Sequence, residues 1–146
     1  MAREILFRAK RAYSRGWVEG HLIVFPKSKI TKIMVWNAAD LDFDAIEVIP
    51  ETVGQFTGLT DKNDNRIFEG DIIRYITPDT ARATGVVRFG EYDTGGTIGI
   101  GFHVELVTRE GTGWLRRDIG FWAKYRDIEV IGNIHDNPEL LNGKES

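Results

Sequence analysis

A mainly β, β-rich α+β chain built on a curled antiparallel sheet, with a short helical turn near its C-terminus, is predicted by three observations. Residues 97–108 (TIGIGFHVELVT) alternate apolar and other side chains, the pattern of a half-buried strand. Sixteen of the 146 residues are glycine, and they punctuate the apolar runs where turns and bends are needed. The runs between them, such as DIIRYI at 71–76, are filled with β-branched and aromatic residues.

In chain order, residues 3–9 read as a strand buried over most of its surface, with Ile5 and Phe7 on one side and Leu6 on the other. Residues 10–16 are a polar turn and 17–25 (WVEGHLIVF) a second strand, ended by Pro26, which cannot donate to a ladder. Residues 28–36 mix the two periods and are assigned to strand. An acidic loop at 37–44 precedes a short β run at 45–49, stopped by Pro50. Residues 52–75 form the organising hairpin. Asp61, Asn63, Asp64 and Asn65 tolerate turn geometry, and Ile67, Phe68, Ile72, Ile73 and Tyr75 supply β-forming bulk. The order Gly-Asp, apolar strand at 71–77, loop at 78–83 and Gly-Val-Val within 84–89 resembles the central hairpin of SH3-like small barrels, a likeness of fold only. Residues 90–96 are expected to be a flexible turn. In the strand at 97–108, Ile98, Ile100, Phe102, Val104 and Leu106 share one face and His103 lies on the more polar one. After a turn at 109–113, residues 114–126 fit a short helix or a broken strand, because Gly120 costs about 1 kcal/mol in a helix. Residues 127–134 close the sheet. Asn137 has N-cap chemistry and Pro138 suits the first helical position. The chain is expected to form one domain over 1–146, a β segment at 1–50 packing on a β core at 51–141, with a frayed tail at 142–146.

At this length roughly 70% of the unfolded surface can be buried, so a core forms without staples. With no cysteine there is no disulfide, thiolate metal site or thiol nucleophile, which fits a cytoplasmic setting. No apolar run reaches the roughly 20 residues of a membrane span. The net charge of −3 is unevenly spread. Through position 37 eight basic residues face two acidic ones, and beyond it eleven face twenty. Either the basic third presents a nucleic-acid surface or it docks on the acidic body of its own or a neighbouring chain, and the interspersed apolar residues favour docking.

Several short words stand in a fixed order along almost the whole chain: Arg3-Glu4-Ile5-Leu6-Phe7-Arg8, Trp17-Val18-Glu19-Gly20, Gly54-Gln55-Phe56-Thr57-Gly58, Phe68-Glu69-Gly70-Asp71-Ile72, Gly85-Val86-Val87-Arg88-Phe89-Gly90 and Glu129-Val130-Ile131-Gly132-Asn133-Ile134, the last running into Asn137-Pro138-Glu139-Leu140-Leu141. In these the sequence resembles the YopX family of phage and prophage proteins. The resemblance implies a mobile-element origin and a mainly β fold, and carries no established activity to transfer. It departs at the hairpin tip, where Asn63-Asp64-Asn65 stands in place of Asn-Gly, so the turn type stays open.

Candidate chemistry is thin. Asp40, Asp42, Asp44 and Glu51 fall at calcium-hand positions, but Ala45 replaces the required glycine and Pro50 precedes the glutamate, so a solvated acidic loop is the better reading. His21, His103 and His135 are too scattered to imply zinc. Gly95, Gly96, Gly99 and Gly101 match no phosphate-binding fingerprint. Glu69 and Asp71 are paired carboxylates, yet Asp71 in a turn-to-strand word is expected to accept backbone N–H bonds while Glu69 faces solvent. The expectation is therefore a noncatalytic protein without cofactor or metal that binds a protein partner, self-association included. The alternative is a nucleic-acid-binding regulator, because cations and aromatics interleave at Arg8, Lys10, Arg11, Tyr13, Arg15 and Trp17, and again at Arg109, Trp114, Arg116, Arg117, Trp122, Lys124, Tyr125 and Arg126. The contact residues expected under either reading are Arg8, Lys10, Arg11, Trp17, Arg116 and Arg117.

Overall fold

The computed structural model describes residues 4–76, 82–110, 116–124 and 128–142. It is mainly β, with ten strands and one short helix among the described residues, all named strand pairs being antiparallel. The chain divides into two compact units, Met1–Gly58 and Leu59–Ser146.

In the first unit β1 (Phe7–Lys10), β2 (Trp17–Val24), β3 (Thr31–Asn37), β4 (Asp42–Glu47) and β5 (Gly54–Thr60, which runs across the boundary) lie in the order β4-β3-β2-β1-β5. Alternation sends Ala9, Val18, Ile33 and Val48 to one face, where they form a core flanked by Phe7, Val35, Ile46 and Val53. Thr52 stitches the unit. Its hydroxyl accepts the Lys10 N–H at 2.8 Å and donates to the Ile49 carbonyl at 2.7 Å, closing the 3-10 turn Pro50–Thr52. The expected loop at 37–44 is shorter than predicted, since β4 starts at Asp42. Asn37 ties what remains, donating from Nδ2 to Asp40 and Asp44 at 3.0 and 3.1 Å.

The second unit contains β6 (Arg66–Phe68), β7 (Asp71–Ile76), β8 (Arg82–Asp93), β9 (Ile98–Glu110), α1 (Ile119–Lys124) and β10 (Ile128–Asn133), with a four-stranded sheet in the order β10-β7-β8-β9. Ile67, Ile73, Tyr75, Val87, Val104 and Ile128 are fully or almost fully buried and form its core, with Ile119 of α1 against them. Burial raises the Tyr75 phenol to about 12, against the opposing field of Arg109 and Arg117. The two alternatives open for 114–126 resolve, over the described part, to a helix. Among its described side chains Ile119 is the buried one, while Gly120 faces open space.

The hairpin tip is a densely hydrogen-bonded turn. Asp61 is wholly buried; its Oδ1 accepts the N–H groups of Asn63 and Asn65, each at 2.9 Å. Its Oδ2 accepts the Val130 N–H at 2.9 Å and the Asn65 side-chain amide at 3.3 Å. Asp64 takes the left-handed conformation, φ 63°, which the Asn-Gly of the commoner turn would otherwise supply. Gly70 turns β6 into β7 at φ 91°, donating to the Val87 carbonyl and accepting from Ile134. Asp71, buried, accepts the Phe68 N–H at 2.7 Å as expected; Glu69 is half-buried rather than solvent-facing.

Candidate functional site

Three surface features carry chemistry. The first lies on the face of the Met1–Gly58 sheet opposite its core. Register places Arg8 beside Glu19, Lys10 beside Trp17, His21 beside Met34 and Trp36 beside Phe43. The Arg8 guanidinium carbon lies 4.7 Å from the Trp17 ring centroid and the Lys10 ammonium 5.9 Å from it, so two expected cations converge on one indole. Trp36 and Phe43 meet edge to face at 5.2 Å and stay 53% and 45% exposed. Arg11 sits just past β1 and bridges Val48 through its backbone. Tyr13 donates to Glu47 at 3.0 Å, a bond that raises its phenol above the ordinary value.

The second group is in the Leu59–Ser146 unit. Arg116 is committed to Asp118 by two bonds, Nε to Oδ1 at 2.9 Å and Nη2 to Oδ2 at 2.8 Å, and stacks 4.3 Å over Phe121. A fork-to-carboxylate pair of this kind leaves little donor capacity for a phosphate. Arg117 gives its backbone carbonyl to the Val104 N–H at 2.9 Å. Trp114, Tyr125 and Arg126 lie outside the described residues, as do the side chains of Trp122 and Lys124.

The third feature was hidden in the strand pattern. Residues 90–93 are not a turn: β8 continues to Asp93 and pairs with β9 up to Ile98, so a long hairpin arm extends past the core. One face of this arm carries the Phe89–Phe102 pair, edge to face at 5.0 Å, and then Ile100 and Ile98. Phe89, Ile100 and Ile98 are 59%, 73% and 71% exposed, which corrects the expectation that both isoleucines join the core face. Glu91 and Asp93 stand opposite Ile100 and Ile98 on the same face. His103, expected on a polar face, is instead buried. Tyr92 stacks on it at 5.0 Å with planes 19° apart, and its Nδ1 lies 3.1 Å from the Gly101 carbonyl.

The arm's tip is tied. Asp93 accepts the Gly95 and Gly96 N–H groups at 2.8 and 3.2 Å, bonds that lower its carboxyl below the ordinary range, and Thr94 N–H donates to the Thr97 carbonyl at 2.9 Å. The glycines at 95 and 96 therefore serve the turn, while Gly99 leaves room for the Tyr92 ring. Beside the tip, Glu91, Tyr92, Asp93, Gly96, Thr97 and Ile98 line an open concavity of about 510 Å³. Among the described residues no three His, Asp or Glu side chains gather as metal ligands, and no helix is long and apolar enough to cross a membrane.

A family profile described as YopX protein matches residues 6–142. Curated proteins give no match. Among solved structures, the crystal structure of protein EF1440 from Enterococcus faecalis is similar, at 25% sequence identity and a TM-score of 0.55, covering 97% of this chain and all of that one.

Proposed function

The chain belongs to the YopX family, and from that premise we propose that it is a noncatalytic phage or prophage protein that works in the bacterial cytoplasm by binding protein, its first partner being a second copy of itself. The observation that carries this reading is the β8–β9 arm. Three large apolar side chains, Phe89, Ile98 and Ile100, stand exposed on a face whose geometry is fixed by a tied tip and a Tyr92–His103 stack. Contiguous apolar surface held rigid in water marks contact surface more often than idle surface. Its neighbours Glu91 and Asp93 give that face a negative rim. The basic residues up to position 37, with Trp36 exposed among them and Phe43 paired to it from β4, offer the complementary charge and apolar area on another copy.

Light scattering across micromolar to hundreds of micromolar protein is expected to show mass rising with concentration. A strict monomer over that range would remove self-association.

A second reading is favoured by the convergence of Arg8 and Lys10 on Trp17, a cation and π arrangement that also suits unpaired bases. Fluorescence titration with single- and double-stranded DNA and RNA at two salt concentrations separates the readings. Protein docking predicts no appreciable binding at low salt. Binding that weakens steeply with salt would instead support a nucleic-acid regulator.

A further inference from the structure

The β2–β3 hairpin carries an exposed face that the core does not use. Register pairs Ile23 with Lys32 and Trp36 with Phe43, and the Phe25 N–H donates to the Ile30 carbonyl at 2.8 Å, which carries the alternation into the turn. Ile23, Phe25, Ile30, Trp36 and Phe43 therefore share the side of the sheet opposite the core residue Ile33, and each is between 37% and 53% exposed. Lys32 lies within this face, its ammonium 5.8 Å from the Phe25 ring centroid. Glu47, opposite Lys32 in the ladder, accepts the Tyr13 hydroxyl at 3.0 Å. Lys27 and Lys29 stand exposed in the turn, which is closed by the Lys29 N–H on the Phe25 carbonyl at 2.8 Å. From residue 20 to residue 39 the chain has these three lysines and no Asp or Glu.

The β8–β9 arm is the counterpart in charge. Phe89, Ile98 and Ile100 are exposed on the face that also carries Glu91 and Asp93, and from 89 to 102 the chain has those two carboxylates and no Lys or Arg. Both surfaces are faces of antiparallel strand pairs, a shape that packs face to face about 10 Å apart. Arm on arm would set carboxylates against carboxylates, and hairpin on hairpin would set lysines against lysines. Like charges facing each other cost binding energy, and hairpin on arm removes both clashes.

We propose that the β2–β3 hairpin face of one copy docks on the β8–β9 arm of another, with the lysines of the turn answering Glu91 and Asp93. This rests on the self-association reading above and names the surface that the arm meets. Because the two faces differ, each contact takes the hairpin of one copy and the arm of the other. A contact this small, against the roughly 20–30 residues a side of a stable interface, is transient, and its exposed charges make it salt-sensitive.

Sedimentation velocity at low and at raised salt tests this with two full-chain variants. Lys27→Glu/Lys29→Glu reverses the charge of the hairpin turn and keeps the arm, while Ile98→Asp/Ile100→Asp breaks the arm face and keeps the hairpin. Each variant alone is expected to associate about tenfold more weakly than wild type or less, with unchanged thermal unfolding. Mixed one to one, the two should form a dimer, because each supplies the face the other has lost, and raised salt should weaken it. A wild type that is monomeric at every concentration would remove self-association altogether, this contact included. A wild type that associates beside a Lys27→Glu/Lys29→Glu variant that associates equally well, or beside a mixture that stays monomeric, would leave self-association standing and overturn this contact. Wild type that co-sediments with phosphatidylserine vesicles while the mixture stays monomeric would assign the hairpin face to an anionic lipid surface instead.

Discussion

Replacing Asp61 by Asn is expected to destabilise the Leu59–Ser146 unit by roughly 3 kcal/mol, lowering its midpoint of thermal unfolding by on the order of 10–20 °C. The change removes one oxygen's acceptor capacity and no volume. Both carboxylate oxygens are used, Oδ1 by the Asn63 and Asn65 N–H groups and Oδ2 by Val130 N–H and the Asn65 amide. Whichever way an asparagine amide turned, its NH₂ would face donors at a site with no access to water, and the β-turn would lose its link to β10. Burial acts to raise the Asp61 carboxyl, and the bonds from Val130, Asn65 and Asn63 outweigh it, so the carboxyl lies below the ordinary aspartate range. A carboxyl lowered on folding stabilises fully above its unfolded value and ceases to do so as pH falls through the folded one. The gap between wild type and Asp61→Asn, measured by urea unfolding, should therefore be constant near neutrality and narrow on acidification below 3.8. A loss under about 1 kcal/mol at neutral pH would mean that the four bonds contribute little beyond an ordinary exposed turn.

Gly20→Ala should be the corresponding lesion in the Met1–Gly58 unit. Gly20 of β2 is buried opposite Phe7 of β1, and a methyl group there would collide with the Met34 carbonyl oxygen and come within 2.9 Å of Ile33 Cγ2. The neighbour is backbone held in the β2–β3 ladder, so the clash cannot be relieved by a rotamer. A cost of about 2–3 kcal/mol follows from overpacking a closed site. Denaturant unfolding should show a lower midpoint with an unchanged slope, and the Ala9, Val18, Ile33 and Val48 methyl resonances should shift together. An unchanged midpoint would show that the two strands stand further apart than their register implies.

Much of this was legible in the sequence where local chemistry decides the outcome. The turn around Asp61, the role of Asp71, the strand runs and the C-terminal 3-10 turn Pro138–Asn142 all follow from residue types and their neighbours. The likeness to the YopX family rested on words spread along the chain, and the profile spans residues 6–142. Alternation at 97–108 was a true signal read one step too far. It identifies which side chains share a face, but not whether anything covers that face, so Ile98 and Ile100 share a side with Val104 of the core, and with Phe102 and Leu106 packed against it, yet stand in solvent on the arm. His103 misled for the converse reason: Tyr92, eleven positions earlier, arrives over it only because of the β8–β9 register.

The candidate cations divide along similar lines. That Arg116 meets Asp118 could be suspected from two residues' separation, and the pairing weakens its claim as a ligand contact. The convergence of Arg8 and Lys10 on Trp17 follows from two residues on one face of β1 facing the partner strand. The lysines at 27, 29 and 32 stand in a stretch without carboxylates, but which apolar residues share their face depends on the register of β2, β3 and β4.

Association through the β8–β9 arm is tested most directly by sedimentation equilibrium on an Ile98→Asp/Ile100→Asp double variant beside wild type. Both side chains are mostly solvent-exposed and outside the core, so thermal unfolding should barely change. The predicted result is a wild type whose mass grows with concentration and a variant that stays monomeric throughout. Equal association constants for the two proteins would contradict the account.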